Sequence, residues 1–456
     1  MKKIITILGI AALSLGCSRF LEVDLPSNQL TKDLIFQDAA LARAAMAGVY
    51  SSFDRSGFLS GTSSGGAVFL GAYADELMSY QVSGTDISNC YQLAVTPQAN
   101  TAKTLWSATF AQIYALNSII EGLEKSPAID GATKNQLRGE ALFLRALLHV
   151  YLTGVYGDLP YIETTDYLVN GSGGKIAEEM IYEKAQADLA SAVNLLPETA
   201  PAGERVKPTR IAAYALMARI AMFRKDWQTV VSNADKVISA SGYKIEADLQ
   251  KAFLKGSTST IWSLRPATAQ GNTSNGSLHV LVSAPPRIIA LTEHLVGSFE
   301  SGDRRKQYWV GEIKDNNQKS YYFCHKYKKR TVTTASMEYS VLMRLEEVFL
   351  LRAEALINLQ QFTEARSDIN KIRSRAGLPD TSANTKDELL NAVVSERRHE
   401  LFTEMGHRFF DLKHFGVLDA EMLKSKSNWQ SKFRVFPLPE SELLINPNLN
   451  PQNEGY

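Results

Sequence analysis

Nowhere after residue 16 does the chain hold the roughly 20 consecutive apolar residues that a spanning helix needs, so no transmembrane helix is expected in the mature protein. Charge of one sign is also lacking. With 49 basic and 48 acidic residues the formal net charge is +1, which leaves no large field to hold a phosphate backbone or an anionic lipid surface, and nucleic acid is not an expected partner. Cysteine is scarce: three in 456 residues. Cys90 and Cys324 remain if the first is consumed by processing, and nothing in the sequence places them within bridging distance, so no essential disulfide is expected. Catalytic motifs are missing as well. There is no phosphate-binding loop and no pair of metal ligands. The run His399-Glu400-Leu401-Phe402-Thr403 begins like a zinc-protease helix but has Thr403 where the second histidine must stand. Asp75 and Glu76 are adjacent and cannot straddle a glycosidic bond. Neither an enzyme, nor a cofactor, nor a metal site is expected.

What is present is the composition of a globular protein, 45% hydrophobic and 21% charged, with material for a large core. Helical spacing of apolar residues predicts helices over 36–53, 102–125, 135–154, 176–196, 208–224, 340–358, 361–376, 386–405 and 407–414. Two segments share a finer pattern. Ala218 precedes Trp227 by nine residues with Val230 three further on, and Ala353 precedes Phe362 by nine with Ala365 three further on. That spacing resembles a tetratricopeptide repeat, in which a small residue lets the second helix approach and a large ring at its start fills the space beside it. Glu396, Glu400 and Glu404 share one helix face near Arg397, Arg398 and Arg408, which predicts a buried or interfacial ion network. Segments 56–100 and 244–339 break the helical period; they are rich in Ser, Gly, Thr and Asn with scattered aromatics, and read as irregular with minor strands at Ile261–Leu264, Leu278–Val282 and Tyr321–Phe323.

At the start, Lys2 and Lys3 precede an apolar run from Ile4 to Leu15, so residues 1–16 are expected to be a signal peptide. Leu13-Ser14-Leu15-Gly16-Cys17 resembles a bacterial lipobox, apart from Ser14 where leucine is usual. That resemblance implies a lipid on Cys17 and attachment to a membrane through it.

Blocks from one end of the chain to the other resemble the SusD/RagB family of surface lipoproteins. They run from Phe20-Leu21-Glu22 through Glu140 with Phe143-Leu144-Arg145-Ala146, Tyr156-Gly157-Asp158-Leu159-Pro160 and Gly302-Asp303-Arg304 to Arg344 with Glu346. Ala353-Glu354-Ala355, Ile372-Arg373-Ser374-Arg375 and Glu396 to Leu412 follow, and the ending is Gln452-Asn453-Glu454-Gly455-Tyr456, with Glu454 where the family has proline. The resemblance implies a mainly α fold, one domain over 17–456. Tetratricopeptide-like hairpins (about 36–54, 101–243 and 340–415) would form its scaffold, with a loop-rich binding portion at about 56–100 and 244–339. It implies a nutrient-binding protein of the outer membrane, lipid-anchored and facing outward, whose helical side meets a SusC-like TonB-dependent transporter.

For a binder the needed chemistry is flat aromatic faces to stack on sugar rings or peptide side chains, with polar groups to read substituents. The candidates are Asp75, Tyr80 and Tyr91 from the first irregular segment and Arg304, Trp309 and Tyr321 from the second. Capture of an oligosaccharide is the leading reading. Capture of an oligopeptide, or a structural lid on the transporter with little affinity of its own, are the alternatives.

Overall fold

A computed structural model of the protein describes residues 32–200 and 204–456; the leader and Cys17 lie outside them. It is mainly helical with a few short strands. The first long helix, α1 (Ala39–Arg55), starts where the Asp38 carboxylate accepts the backbone N–H groups of Ala40 and Leu41. It buries Ala42, Met46, Val49 and Phe53, one stripe at helical spacing. Gly57 turns the chain out of it with a φ of +78°, a conformation that side chains with a Cβ rarely adopt.

Two short helices follow, α2 (Gly66–Tyr73) and α3 (Asp86–Gln92), and then the long pair α4 (Asn100–Lys125) and α5 (Gly131–Tyr156). From Gly139 to Tyr156 every residue of α5 is buried, so it is the central rod of the molecule. Helix α6 (Glu178–Leu195) packs back on α5. The two predicted repeats are helical hairpins: α7 (Arg210–Phe223) with α8 (Trp227–Ile238), and α9 (Leu345–Asn358) with α10 (Phe362–Arg375). Ala218 and Val230 meet in one small apolar cluster, Ala353 and Ala365 in another, with Trp227 and Phe362 packed at their margins. Those two rings are half-buried, not core rings. Helices α11 (Lys386–Leu401), α12 (His407–His414) and α13 (Leu418–Ser425) complete the scaffold.

Two small antiparallel sheets carry the rest. Strands β1 (Leu77–Ser79), β3 (Ile289–Leu291), β5 (Ser320–Cys324) and β4 (Val310–Lys314) lie side by side in that order, and β2 (Thr260–Leu264) pairs with β6 (Ser340–Arg344). Residues 340–344 are therefore a strand where helix was expected. Val341 faces Ser263 and Arg344 faces Thr260 across the ladder, and this long-range pairing overrides a local apolar run that carries no distinct period.

The segment 56–100 departs further from expectation. Helix α2 is buried on every side, and Phe58, Phe69 and Tyr73 are wholly inside. A helix without a solvent face shows no polar stripe, so its Gly, Ala and aromatic residues looked like a loop. Leu278–Val282 is likewise the end of a short helix, Ser274–His279, and the turn after it, not a strand.

The ion network exists, with different partners, but the helix ends at Leu401, short of the expected 405, so only Glu396 and Glu400 share a face of α11 and Glu404 stands in the turn beyond it. Glu396 accepts from Arg305 and Arg373, both at 2.8 Å; Glu400 is shared by Arg305, Arg344 and Arg375; Glu404 takes Arg344 at 2.8 Å and Lys326. Arg397 bonds Asp411 instead, and Arg398 and Arg408 bond Asp75. Successive helical residues are turned by about 100°, so arginines next to these glutamates in sequence point elsewhere. The network ties α11 to β6, α10 and the segment before β4, and removing one member of such a buried set typically costs about 3–5 kcal/mol.

Candidate binding surface

Three of the six candidate side chains gather at the rim of the four-stranded sheet. Tyr80 follows β1 and prolongs its pairing by donating its backbone N–H to Ile288 O at 2.8 Å. Its ring meets Tyr321 of β5 edge to face, centroids 5.8 Å apart at 68°. Partial burial raises the Tyr80 hydroxyl above its ordinary pKa, and the nearby Tyr321, Tyr91 and Glu293 raise it further, so the α3 ring Tyr91 belongs to the same neighbourhood. Tyr80 and Tyr91 are half-buried, each with part of a ring available to solvent. Tyr321 is more covered: Lys319 stands 5.3 Å over its ring, and its hydroxyl donates to Asp315 at 3.3 Å. Val82, 77% exposed, marks how open this rim is.

Lys426 underlies the cluster, and nothing local in the sequence pointed to it. Its ammonium sits 4.9 Å from the Tyr91 ring centroid and donates to Ala72 O and Tyr91 O at 2.6 and 2.8 Å. Burial pulls its pKa down to about 7, against the raising influence of Cys90 and Asp75. The ammonium thus fixes the end of α3 and with it the Tyr91 ring.

The other three candidates stand apart. Trp309 is wholly buried, and its indole N–H donates to Leu249 O at 2.8 Å. It is a core ring, packed edge to face on Phe253, and no ligand reaches it. Asp75 is 2% exposed and is spanned by Arg408 through two bonds of 2.8 Å and by Arg398 at 3.1 Å. Burial pushes its carboxyl up, but the Arg408 hydrogen bonds and the charges of Arg408, Arg398 and His294 outweigh that and hold it below the usual range. It is a structural anchor joining the sheet to α11 and α12. Arg304 is exposed but stands at the opposite end of the β4 connection, where it lines a separate groove of about 840 Å³. It does not pair with Asp303, which bonds Arg305.

The residues that suggested catalysis are accounted for by the fold. Glu76 is buried behind Asp75, accepting the Thr403 N–H at 3.2 Å. His399 is bound through Nε2 to the Ser298 hydroxyl at 3.0 Å, and burial with the charges of Arg305 and Arg398 depresses it to about 3. Among the described residues no group of three or more His, Cys, Asp and Glu side chains has the geometry to hold a metal. Cys90 in α3 and Cys324 in β5 are both buried free thiols, and Cys324 accepts a bond from the Thr403 hydroxyl. No helix among the described residues is long and apolar enough to cross a membrane.

Comparison with known proteins adds the following. Residues 303–456 match the family described as the SusD family, and residues 20–222 match one described as starch-binding, associating with outer membrane. The curated SusD-like protein P2 of Formosa agariphila is 26% identical, with all of both chains aligned. A SusD superfamily protein of Bacteroides vulgatus superposes with a TM-score of 0.81 at 23% identity, covering 92% of this chain and all of its own. A laminarin-binding SusD-like protein superposes with a TM-score of 0.77 at 22% identity, covering 91% of this chain and 99% of its own.

Proposed function

The chain belongs to the SusD/RagB family, and on that premise we propose that it is an outward-facing, lipid-anchored protein that captures oligosaccharides and passes them to a partner TonB-dependent outer-membrane transporter. The observation that supports the binding reading is the pair of half-buried rings Tyr80 and Tyr91 at one open rim, with the buried ring of Tyr321 packed edge to face against Tyr80. Tyrosine faces stack on the C–H side of sugar rings while their hydroxyls, with Asp315 and Glu293 beside them, exchange hydrogen bonds with sugar hydroxyls. The laminarin-binding relative of the same fold supports a glycan as the ligand class. Tethering at Cys17 and the helical side as the transporter's contact belong to the same reading, as does a binding rather than a catalytic role.

Calorimetry with a panel of hexasaccharides, laminarihexaose included, tests it. Tyr80→Ala with Tyr91→Ala is expected to weaken the best ligand at least tenfold, about 1.4 kcal/mol, with the circular-dichroism spectrum unchanged. Equal affinity in the variant rejects the rim. Delivery is tested separately by purifying the tagged protein from mildly solubilised membranes: a co-purifying transporter is expected, and its consistent absence rejects that part.

One observation favours a second reading. Strand β4 is an edge of its sheet, and an unpaired edge accepts an extended peptide by backbone pairing. Oligopeptides from a protein digest that bind in place of glycans decide for it.

A further inference from the structure

The groove that holds Arg304 is chemically unlike the tyrosine rim. One wall is a face of α10, with Thr363, Ser367, Asn370 and Ser374 at helical spacing; the other is Ile245 and Ala247. The eleven residue-to-residue rises from Thr363 to Ser374 give that wall a length of about 16 Å. Four cations line the groove, Arg304, Arg366, Lys371 and Arg375, against the single carboxylate of Asp380. Arg375 is committed to Glu346 and Glu400 on its inner side, and it is 8% exposed with no acceptor for its Nε. Lys371 is committed to Asp368 at 2.9 Å. Arg304 and Arg366 have no carboxylate partner among the described residues, yet both are held in place. The Arg304 stem lies against Gly377, whose hypothetical Cβ would fall 2.7 Å from its Cδ, and its guanidinium stands 5.6 Å over the Tyr308 ring. Arg366 donates to Asn384 Oδ1 at 2.7 Å.

Two positioned guanidinium groups without counter-ions, above a wall of hydroxyls and an amide, suit a ligand that brings its own negative charge and many hydroxyls. Guanidinium groups bind carboxylate and sulfate oxygens through paired, charge-assisted hydrogen bonds. We propose that this groove is a second ligand site that takes an anionic oligosaccharide, with uronate carboxylates or sulfate esters on Arg304 and Arg366 and sugar hydroxyls on the α10 wall. The proposal rests on the oligosaccharide reading above and names a charge class for the ligand.

The test is calorimetry of the full mature chain against hexagalacturonate, a sulfated galactan hexasaccharide, neutral laminarihexaose and maltohexaose, and inorganic sulfate, at two salt concentrations. The wild type is expected to bind at least one anionic hexasaccharide, more weakly at higher salt. Arg304→Gln with Arg366→Gln is expected to weaken that ligand at least tenfold and to leave any neutral hexasaccharide unchanged. Ser367→Trp, which fills the groove without altering its charge, is expected to do the same. Anionic affinity that survives both variants overturns the proposal, and so does inorganic sulfate binding as tightly as the sulfated hexasaccharide. Neutral glucans that bind through Tyr80 and Tyr91, with no anionic ligand bound, overturn this site and leave the capture reading standing. No oligosaccharide of either kind bound overturns both.

Discussion

Replacing Glu76 by glutamine isolates the electrostatic strain beneath the sheet. Glu76 is fully enclosed; one carboxylate oxygen accepts the Thr403 N–H and the other has no partner. Burial, and then the negative charge of Asp75, push its pKa from 4.5 up to about 7, and the Thr403 N–H with the charges of Arg408 and Lys326 offsets only part of this. The folded protein therefore holds on to a proton that the unfolded chain releases near pH 4.5. A raised folded pKa means that the group's contribution is intact below about 4.5 and is lost as pH rises through about 7. A shift of about 2.5 pH units corresponds to about 3 kcal/mol, at up to about 1.4 kcal/mol per pH unit inside that window. Glutamine keeps the shape and the acceptor for Thr403 but never ionises. The unfolding free energy of Glu76→Gln relative to wild type, from urea titrations at pH 4.5, 6, 7.5 and 8.5, is expected to rise by about 3 kcal/mol across the series and then level. Burial holds His149 at about 3 and His279 at about 4, so both chains lose stability as pH falls below about 6.5; that common loss cancels in the difference. A difference that stays flat with pH, or that falls, refutes the account.

Trp309→Ala removes a fully buried ring with a satisfied indole N–H and is expected to cost about 3–5 kcal/mol, whereas Trp227→Ala, at a half-buried position, is expected to cost less than half as much; urea midpoints compare them, and equal losses contradict the burial assigned here. Cys17→Ser is expected to abolish palmitate labelling and to release the protein from the membrane fraction, and continued labelling of the variant rules out lipid on Cys17.

The legibility of this protein in its sequence follows the range of the physics involved. Helix α1 was readable because Ala42, Met46, Val49 and Phe53 form a stripe set by the helix's own geometry. The two hairpins were readable because a small residue and a ring nine positions apart describe contacts made within one repeat. Glu396 and Glu400 were legible as a shared face of α11, but the end of the helix before Glu404 and the partners of all three were not. Glu400 is satisfied by arginines from three other elements, and spacing along one helix carries no information about what packs against it. The candidate site divides in the same way. Aromatic residues in irregular segments were visible as such, and tertiary structure decided which of them reach the surface: it left Tyr80 and Tyr91 half-buried at one rim, covered Tyr321 beside them and closed Trp309 into the core. Asp75 reached its arginines across 323 and 333 positions of chain, and Lys426 found Tyr91 across 335. Periodicity records that a side chain will be covered, because a helix or strand presents its own faces; what covers it is determined by the packing of distant segments, which exists only once the chain has folded.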